Sequence, residues 1–370
     1  MLLTAELQAW LRLSLVPGLG VRSQLHLLRA LGEPERIFSA PRSAFKDLIS
    51  PQLTDAVLSA TVPSPVGIVE LTQAWLLEPQ HHLLTLNDAL YPASLLSLPD
   101  PPIVLYAKGD LNLLKKPALS IVGSRNATPQ GIEHAQQFAT HLSNAGLCIV
   151  SGMASGIDAA AHRGGLAGRS SSIAVVGTGL DRIYPASNRE LAHQLAAAGL
   201  LLSEFALGSP PLPMHFPQRN RIIAALGLGC LVVEAALGSG SLITAKQAVD
   251  LGREIFAIPG SIHSPQAKGC HALIKSGAKL VESGDDILSE LCFGNDLFSV
   301  AVEPNKQAKQ PLPEDEFWQA LGWDPVDIET LILRTGLTNV ALYEILLGFE
   351  LEGKLASLPG GRYQRIGGGV

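Results

Sequence analysis

Three sets of residues carry the side chains and turns that grip an anion. Gly123-Ser124-Arg125 follows a short apolar run, Ala118-Leu-Ser-Ile-Val122, and precedes a helical pattern that starts after Pro129. Strand, glycine turn and helix in that order aim backbone N–H groups and the positive end of a helix at whatever lies beyond the strand. Arg125 adds a planar fork that can hold a phosphate through two parallel hydrogen bonds. A second set, Phe216-Pro-Gln-Arg219-Asn220-Arg221, opens a helix around a proline. It suits phosphate contacts, with Phe216 able to stack on a base. The third set joins glycines to hydroxyls: Gly177-Thr178-Gly179 and Gly238-Ser-Gly240-Ser241-Leu-Ile-Thr244. A plainer reading stands beside each. Arg125 can pair with a carboxylate in an ordinary βα turn, and one of Arg219 and Arg221 can pair with Glu204 or Glu234 across strand ends.

These sets need a sheet to bring them together. Apolar runs recur at Leu119–Val122, Leu147–Val150, Ile173–Val176, Leu200–Leu202, Leu231–Val233 and Ile255–Ile258, with a weaker one at Lys279–Val281 and an earlier one at Ile103–Tyr106. Helical stretches lie between most of them. Near-continuous apolar strands joined by crossover helices predict an α/β fold, a Rossmann-like, doubly wound and mainly parallel sheet covered on both faces. Glycine and hydroxyl residues follow nearly every run at its carboxyl end. A bias to that one edge marks a ligand crevice.

Ahead of the sheet, Val16-Pro-Gly-Leu-Gly20 separates two amphipathic stretches, Glu6–Leu15 and Arg22–Leu31. It reads either as a helix-hairpin-helix module that contacts DNA phosphates or as an ordinary tight connection. Pro63, Pro65 and Gly67 interrupt the pattern before a further helix, Ile68–Leu77. His81-His82 reads as a surface or strand-edge pair, since adjacent side chains point in different directions.

Composition narrows the function classes. The 370 residues carry a net charge of −6, with 16% charged and 47% hydrophobic side chains, which excludes a disordered chain. The charge is uneven: residues 1–79 carry −1, residues 80–295 are neutral, and residues 296–370 carry −5. A nucleic-acid site in the middle must therefore be a local patch, and the acidic end is a poor one. The first 15 residues lack a basic segment, and no apolar run of about 20 residues exists, so neither a signal peptide nor a membrane span is expected. Cys148, Cys230, Cys270 and Cys292 form no paired motif and read as buried free thiols in a reducing cytoplasm. Nucleotide and hydrolase signatures fail: no phosphate loop of the Walker type, no GxSxG elbow, and no third glycine after Gly179. His162 follows Asp158 by four residues, but no further ligand completes a metal site, and the pair reads as helix-start hydrogen bonding.

Seven motifs occur together and in order: IVGSR ending at Arg125, SGMASGIDAAAH ending at His162, IAVVGTGLDRIYPASN ending at Asn188, FPQRNRII ending at Ile223, GSGSLITA ending at Ala245, GREIFAIPG ending at Gly260 and KGCHALIKSGAKLV ending at Val281. This set closely resembles the DprA/Smf family of DNA-processing proteins of bacterial natural transformation. The resemblance is strong over about residues 80–293. It implies an N-terminal SAM-like domain (1–78), an extended Rossmann-like domain (79–293), a linker (294–318) and a winged helix (319–370). It also implies single-stranded DNA as ligand, a homodimer through the Rossmann-like domain, and RecA recombinase as the partner loaded onto incoming strands. No cofactor, no metal and no catalysis are expected. By motif, Gly123, Ser124 and Arg125 would cradle DNA phosphates, with Phe216, Arg219 and Asn220 in the same pocket and Arg221 beside them. Gly177, Thr178, Gly240 and Ser241 would add backbone or hydroxyl contacts. Some relatives carry lysine after the Tyr-Pro dipeptide; here Ala186 stands there, followed by Ser187 and Asn188, so either Arg189, three positions on, replaces that cation or the site is weaker.

The alternative class is a nucleoside-monophosphate hydrolase of the phosphoribohydrolase type on the same scaffold. Such enzymes use a PGGxGT segment with a following glutamate, and the comparable stretch here, Gly238–Thr244, lacks it. At the C-terminal end, Ile328–Arg334 and Asn339–Glu352 alternate with a wing at Leu355–Ile366, a helix-turn-helix pattern. The helix expected to read DNA begins Thr338-Asn-Val-Ala-Leu-Tyr-Glu and holds no basic residue. That predicts a protein-contact or regulatory module rather than a DNA reader, and the acidity of this part disfavours a transcription regulator. Leu242, Ile243, Ile274 and Leu280 read as either interface or core.

Overall fold

The computed structural model describes residues 4–59, 67–293 and most positions from 314 to 365. The chain divides into two compact units, Met1–Leu297 and Phe298–Val370.

The first unit opens with five helices: α1 (Ala5–Leu15), α2 (Val21–Leu31), α3 (Pro34–Ser39), α4 (Pro51–Leu58) and α5 (Ile68–Trp75). Thr4 caps α1 by accepting from the Leu7 amide at 3.2 Å, which satisfies one of the open donors at a helix start. The α1–α2 hairpin turns at Gly18, whose φ of +75° suits only glycine comfortably. Gln24 closes it, its buried amide donating to the Leu19 carbonyl at 2.8 Å. The inner faces of these helices, with Leu11, Leu13, Leu27 and Ile37, and Phe45 from the segment between α3 and α4, join one apolar cluster with Leu83, Tyr106 and Ala174 of the sheet and Ile103 just before β2. The N-terminal helices thus share a core with the sheet.

The sheet strands and their helices follow as β1 (His81–Thr85), β2 (Val104–Gly109), β3 (Ala118–Val122), α6 (Pro129–Asn144), β4 (Cys148–Ser151), α7 (Ile157–Ala167), β5 (Ser172–Val175), α8 (Arg189–Ala198) and β6 (Leu200–Ser203). Then come α9 (His215–Leu226), β7 (Gly229–Val232), α10 (Gly240–Asp250), β8 (Glu254–Ala257), α11 (Lys268–Lys275), β9 (Lys279–Leu280) and α12 (Gly284–Glu290). The spatial order is β1-β2-β6-β5-β4-β3-β7-β8-β9. All neighbours from β6 to β9 run parallel, whereas β1 pairs antiparallel with β2 and β2 antiparallel with β6.

Alternation along β3 sorts the two layers. Leu119 and Ile121 pack with Phe138, Ala139, Leu142 and Ile157 of α6 and α7, while Ala118 and Val122 pack with Ile222, Ala245 and Ala248 of α9 and α10. Ser120 lies on the second face, fully buried, and donates to the Ile223 carbonyl at 2.6 Å. That bond fastens α9 to the central strand. From β3 the chain winds outward through β4, β5 and β6 on one side, then returns to β7 on the other. The gap beyond the carboxyl ends of β3 and β7 is the topological switch point, where such sheets bind ligands.

The expected parallel strands are present, each within two residues of its predicted bounds. The strand β1 went unpredicted, because His-His-Leu-Leu-Thr shows no alternation and few β-branched residues. His81 does sit on the edge strand, but it is buried, stacked on Trp75 at 4.2 Å. Cys148, Cys230 and Cys270 are buried free thiols; Cys292 departs from the expectation and is exposed. No described helix is long and apolar enough to cross a membrane.

In the second unit, α13 (Glu314–Leu321), β10 (Val326–Asp327), α14 (Ile328–Thr335), β11 (Leu355–Leu358) and β12 (Arg362–Arg365) are described. The strands form an antiparallel sheet in the order β10-β12-β11 around Phe317, Leu321, Leu331 and Leu355, and this is a winged-helix arrangement. Helix α13 begins inside the stretch expected to be linker; residues 294–313, with Pro304, Pro311 and Pro313, lie outside the described residues, as do Pro63, Pro65 and most of the expected reading helix.

Candidate nucleic-acid interface

The turn after β3 is built to project one side chain. Gly123 is required by close approach: a Cβ there would lie 2.6 Å from the Ile157 side chain at the start of α7. The Ser124 amide donates to the Glu234 carbonyl at 2.7 Å, and the Ser124 carbonyl accepts from the Ile157 amide at 3.2 Å. The Ser124 hydroxyl accepts from the Asn126 amide at 3.1 Å. The Glu234 carboxylate completes the brace, accepting from the Thr128 amide at 2.9 Å and the Thr128 hydroxyl at 2.5 Å. The amide and hydroxyl of Ser124, expected to face a ligand, are therefore engaged in holding the loop. What the turn presents is Arg125, which is exposed and has no acid within ion-pair distance among the described residues. The simple βα-turn ion pair is not formed. Its guanidinium carbon lies 5.4 Å from the centroid of the Phe216 ring.

The start of α9 supplies the second cation. Arg219 is only 4% exposed, and it donates through Nη2 to the Gly152 carbonyl at 2.8 Å. Its Nε and Nη1 have no partner within the described residues. A guanidinium buried with two idle donors is costly, and burial lowers its pKa to about 10 while Asp158 opposes the shift. It therefore stays charged at neutral pH. Glycine at 152 leaves room for this guanidinium, because a Cβ there would fall 1.5 Å from Arg219 Nη1 and displace it. The loop carrying Gly152 is fixed by two buried residues. His162 accepts from the Met153 amide at 3.2 Å and bonds through Nδ1 to the Ser172 hydroxyl at 2.7 Å; burial drops its pKa to about 3, so it is neutral. Asn188 donates to the carbonyls of Met153 and Ala154 at 2.9 and 3.3 Å.

These parts meet in one open cleft of about 670 Å³ at the switch point. Gly123, Ser124, Arg125, Phe216, Arg219, Asn220, Gly240 and Ser241 line it together. Opposite the arginines, Ser239 caps α10 by accepting from the Ser241 amide at 3.3 Å, and the two hydroxyls bond at 2.7 Å. Asp158 also lines the cleft. Its carboxylate accepts from the Ala154 amide at 3.3 Å, whereas His162 bonds to Met153 and Ser172, so each member of the pair expected to bond at the helix start finds a different partner; burial raises the Asp158 pKa against the pull of Arg219.

Five of the predicted site residues do not line the cleft. Arg221 is the clearest correction: it forms a buried ion pair with Glu204 and lies 3.7 Å from Asp100, so the strand-end pairing weighed for one of the two arginines takes this one. Thr178 is 2% exposed, with its carbonyl accepting from Ser203 at 2.7 Å. Asn188 serves the loop just described. Gly177 backs Phe216, since a Cβ there would lie 3.1 Å from that ring. Arg189 is exposed on α8 in a separate shallow depression with Ser187 and His193. Sequence reasoning missed Tyr184, which lines the cleft with its ring 5.5 Å from Phe216. Its signal was an aromatic residue at the turn edge directly before a proline. Among the described residues no group of three or more His, Cys, Asp or Glu side chains is gathered as for a metal.

The model of the family described as DNA recombination-mediator protein A matches residues 82–292, and that described as the DprA winged helix domain matches residues 302–361. The chain belongs to the DprA family. Protein Smf of Escherichia coli (strain K12) is 41% identical over 307 residues, covering 82% of each chain. The DNA processing protein DprA of Streptococcus pneumoniae is 48% identical over 206 residues, 56% of this chain and 73% of that one. The solved structure of a DprA from Streptococcus pneumoniae superposes with a TM-score of 0.66 at 37% identity, covering 78% of this chain and 99% of that chain. The Helicobacter pylori DprA, whose structure is described for its single-stranded DNA binding mode, gives a TM-score of 0.53 at 31% identity over 57% of this chain and 96% of that chain. DprA membership thus accounts for both units of this chain: the doubly wound sheet with its switch-point cleft, and the winged helix.

Proposed function

We propose that this chain binds single-stranded DNA in the switch-point cleft without regard to sequence, and that it acts as a recombination mediator in the cytoplasm, delivering strands to a RecA-type recombinase during transformation. The observation that carries the reading is the convergence of Arg125 and Arg219 in one open cleft beside two aromatic rings, the exposed Tyr184 and the half-buried Phe216. Cations track the backbone, and aromatic faces take unpaired bases of any identity. The family description of a recombination mediator and the single-stranded DNA named for the Helicobacter pylori relative support the same reading. Gly123, Asn220, Gly240 and Ser241 complete the proposed contacts. Leu280, 43% exposed, gives the Rossmann-like domain apolar surface for the proposed homodimer, whereas Ile243 lines the cleft and Leu242 and Ile274 pack against the core. The reading is one of binding, since the cleft's one acid, Asp158, is buried and bonded within its own helix start.

Fluorescence anisotropy of a labelled oligo-dT, with neither nucleotide nor metal present, tests it. Binding should weaken with salt and resist competition by duplex. A well-folded protein that ignores the oligonucleotide, or one that releases ribose phosphate from nucleoside monophosphates, would overturn it in favour of the hydrolase class.

A further inference from the structure

We infer that Glu204 is a positioning residue: its negative charge, acting through Arg221, sets the rotation of α9 that delivers Arg219 and Asn220 to the strand. The inference rests on the single-stranded DNA reading above. Helix α9 has two working faces at its start. Phe216, Arg219, Asn220 and Ile223 line the cleft. His215, Gln218 and Arg221, spaced three apart, lie on the far side of the same turns. Two neighbouring residues just past β6 hold that far side. Phe205 is buried and stacks on His215 at 4.0 Å, and His215 bonds to the Gly177 carbonyl at 3.1 Å. Glu204 accepts from Arg221, with Gln218 helping to hold its charge.

The pair is a poor structural bond. Arg221 Nε and Nη1 and Glu204 Oε1 are buried with no hydrogen-bond partner among the described residues. Burial pushes Glu204 up to about 7 against the pull of Arg221, so the ionised form weighs on the fold above that pH. Buried ion pairs of this kind often add nothing to stability; what one can supply is a single arrangement among several. Here a competing arrangement exists. Asp100 lies 3.7 Å from Arg221 Nε, so two acids share one arginine. Tyr91 also faces the pair and stays neutral, because burial raises its pKa. With Glu204 charged, Arg221 is held at the end of β6 and Arg219, on the opposite face, is aimed at Gly152 and the cleft. With Glu204 neutral, Arg221 is drawn toward Asp100, and the cleft face of α9 turns with it.

The test compares full-length wild type with Glu204→Gln, a neutral isostere, by oligo-dT anisotropy and urea unfolding across the pH range about the Glu204 transition. Above that transition the variant should bind about tenfold more weakly, the loss of one charged phosphate contact, yet unfold at no lower urea concentration than wild type. Stability and binding thus part company, which a merely structural role cannot produce. As pH falls through 7, wild type takes up the proton, and the ratio of the two affinities should close toward one. Groups present in both proteins, His215 and Asp158 among them, cancel in that ratio. In a Gly152→Ala background, where Arg219 is already displaced, Glu204→Gln should add less than about twofold. Equal affinities above the transition, a ratio that ignores pH, or a full loss in the Gly152→Ala background would overturn the assignment and leave the function reading intact. So would a Glu204→Gln protein less stable than wild type above the transition, since the charge would then serve the fold. Wild type that binds no oligonucleotide would overturn both.

Discussion

Replacing Arg125 by alanine isolates the binding role of the cleft from its stability. The guanidinium is exposed and pairs with no acid among the described residues, so its loss strands no buried partner. The structural contact removed is the one over Phe216, worth about 0.5–1 kcal/mol at an exposed site, and the thermal midpoint should move little. Binding is another matter. A charge-assisted hydrogen bond contributes about 1.5–3 kcal/mol, and every 1.4 kcal/mol is about tenfold in Kd. Arg125→Ala should therefore weaken oligo-dT binding about 10- to 100-fold. It should also lower the slope of log K against log salt by about 0.7, the share of one single-strand phosphate. Anisotropy titrations at a series of salt concentrations read both. A variant with wild-type affinity and slope would refute the argument and move the DNA to the hairpin at Val16–Gly20 or to the winged helix.

Three further outcomes follow from the same geometry. Gly152→Ala keeps the charge but drives a methyl into the space of Arg219 Nη1, 1.5 Å from the would-be Cβ; displaced from the Gly152 carbonyl, Arg219 should lose its phosphate contact, weakening binding about tenfold at unchanged net charge, as anisotropy will show. Asp158→Asn removes a negative charge from the cleft and keeps an acceptor for the Ala154 amide; binding should tighten about 2- to 10-fold, and because burial raises the Asp158 pKa, wild type should approach the variant as pH falls. Glu204, pushed up to about 7 by burial against the pull of Arg221, binds its proton more tightly when folded than when unfolded. Its contribution to stability is full below about pH 4.5, and falls as pH rises through 7. Urea midpoints across that window should fall more steeply in wild type than in Glu204→Gln, and parallel curves would show that Glu204 does not titrate there.

Much of this architecture was legible because parallel strands buried on both faces leave an unmistakable apolar run, as in Leu-Ser-Ile-Val at β3 or Leu-Val at the end of β7. The switch-point cleft was legible too, since glycine and serine gather after those runs. What sequence could not show was direction. The arginines of Arg219-Asn220-Arg221 sit two apart on a helix, so they point to different sides: one to Gly152 in the cleft, the other to Glu204 and Asp100. The serine of Gly-Ser-Arg looked like a phosphate donor, but its groups brace the turn against Glu234 and Asn126. The edge strand β1 escaped for a related reason, because antiparallel addition to a parallel sheet leaves no mark in a histidine-led segment, whereas its neighbour β2 was legible as the run Ile103–Tyr106. Tyr184 was hidden in a turn between elements, where no periodicity singles out one ring.

The most direct measurement is a structure of the full chain with a short oligo-dT. A phosphate within hydrogen-bond distance of the Arg125 guanidinium, about 2.7–3.2 Å, with the strand running past Arg219 and the start of α10, is the predicted result. An empty cleft, with the oligonucleotide held at the N-terminal hairpin or on the winged helix, would contradict the account.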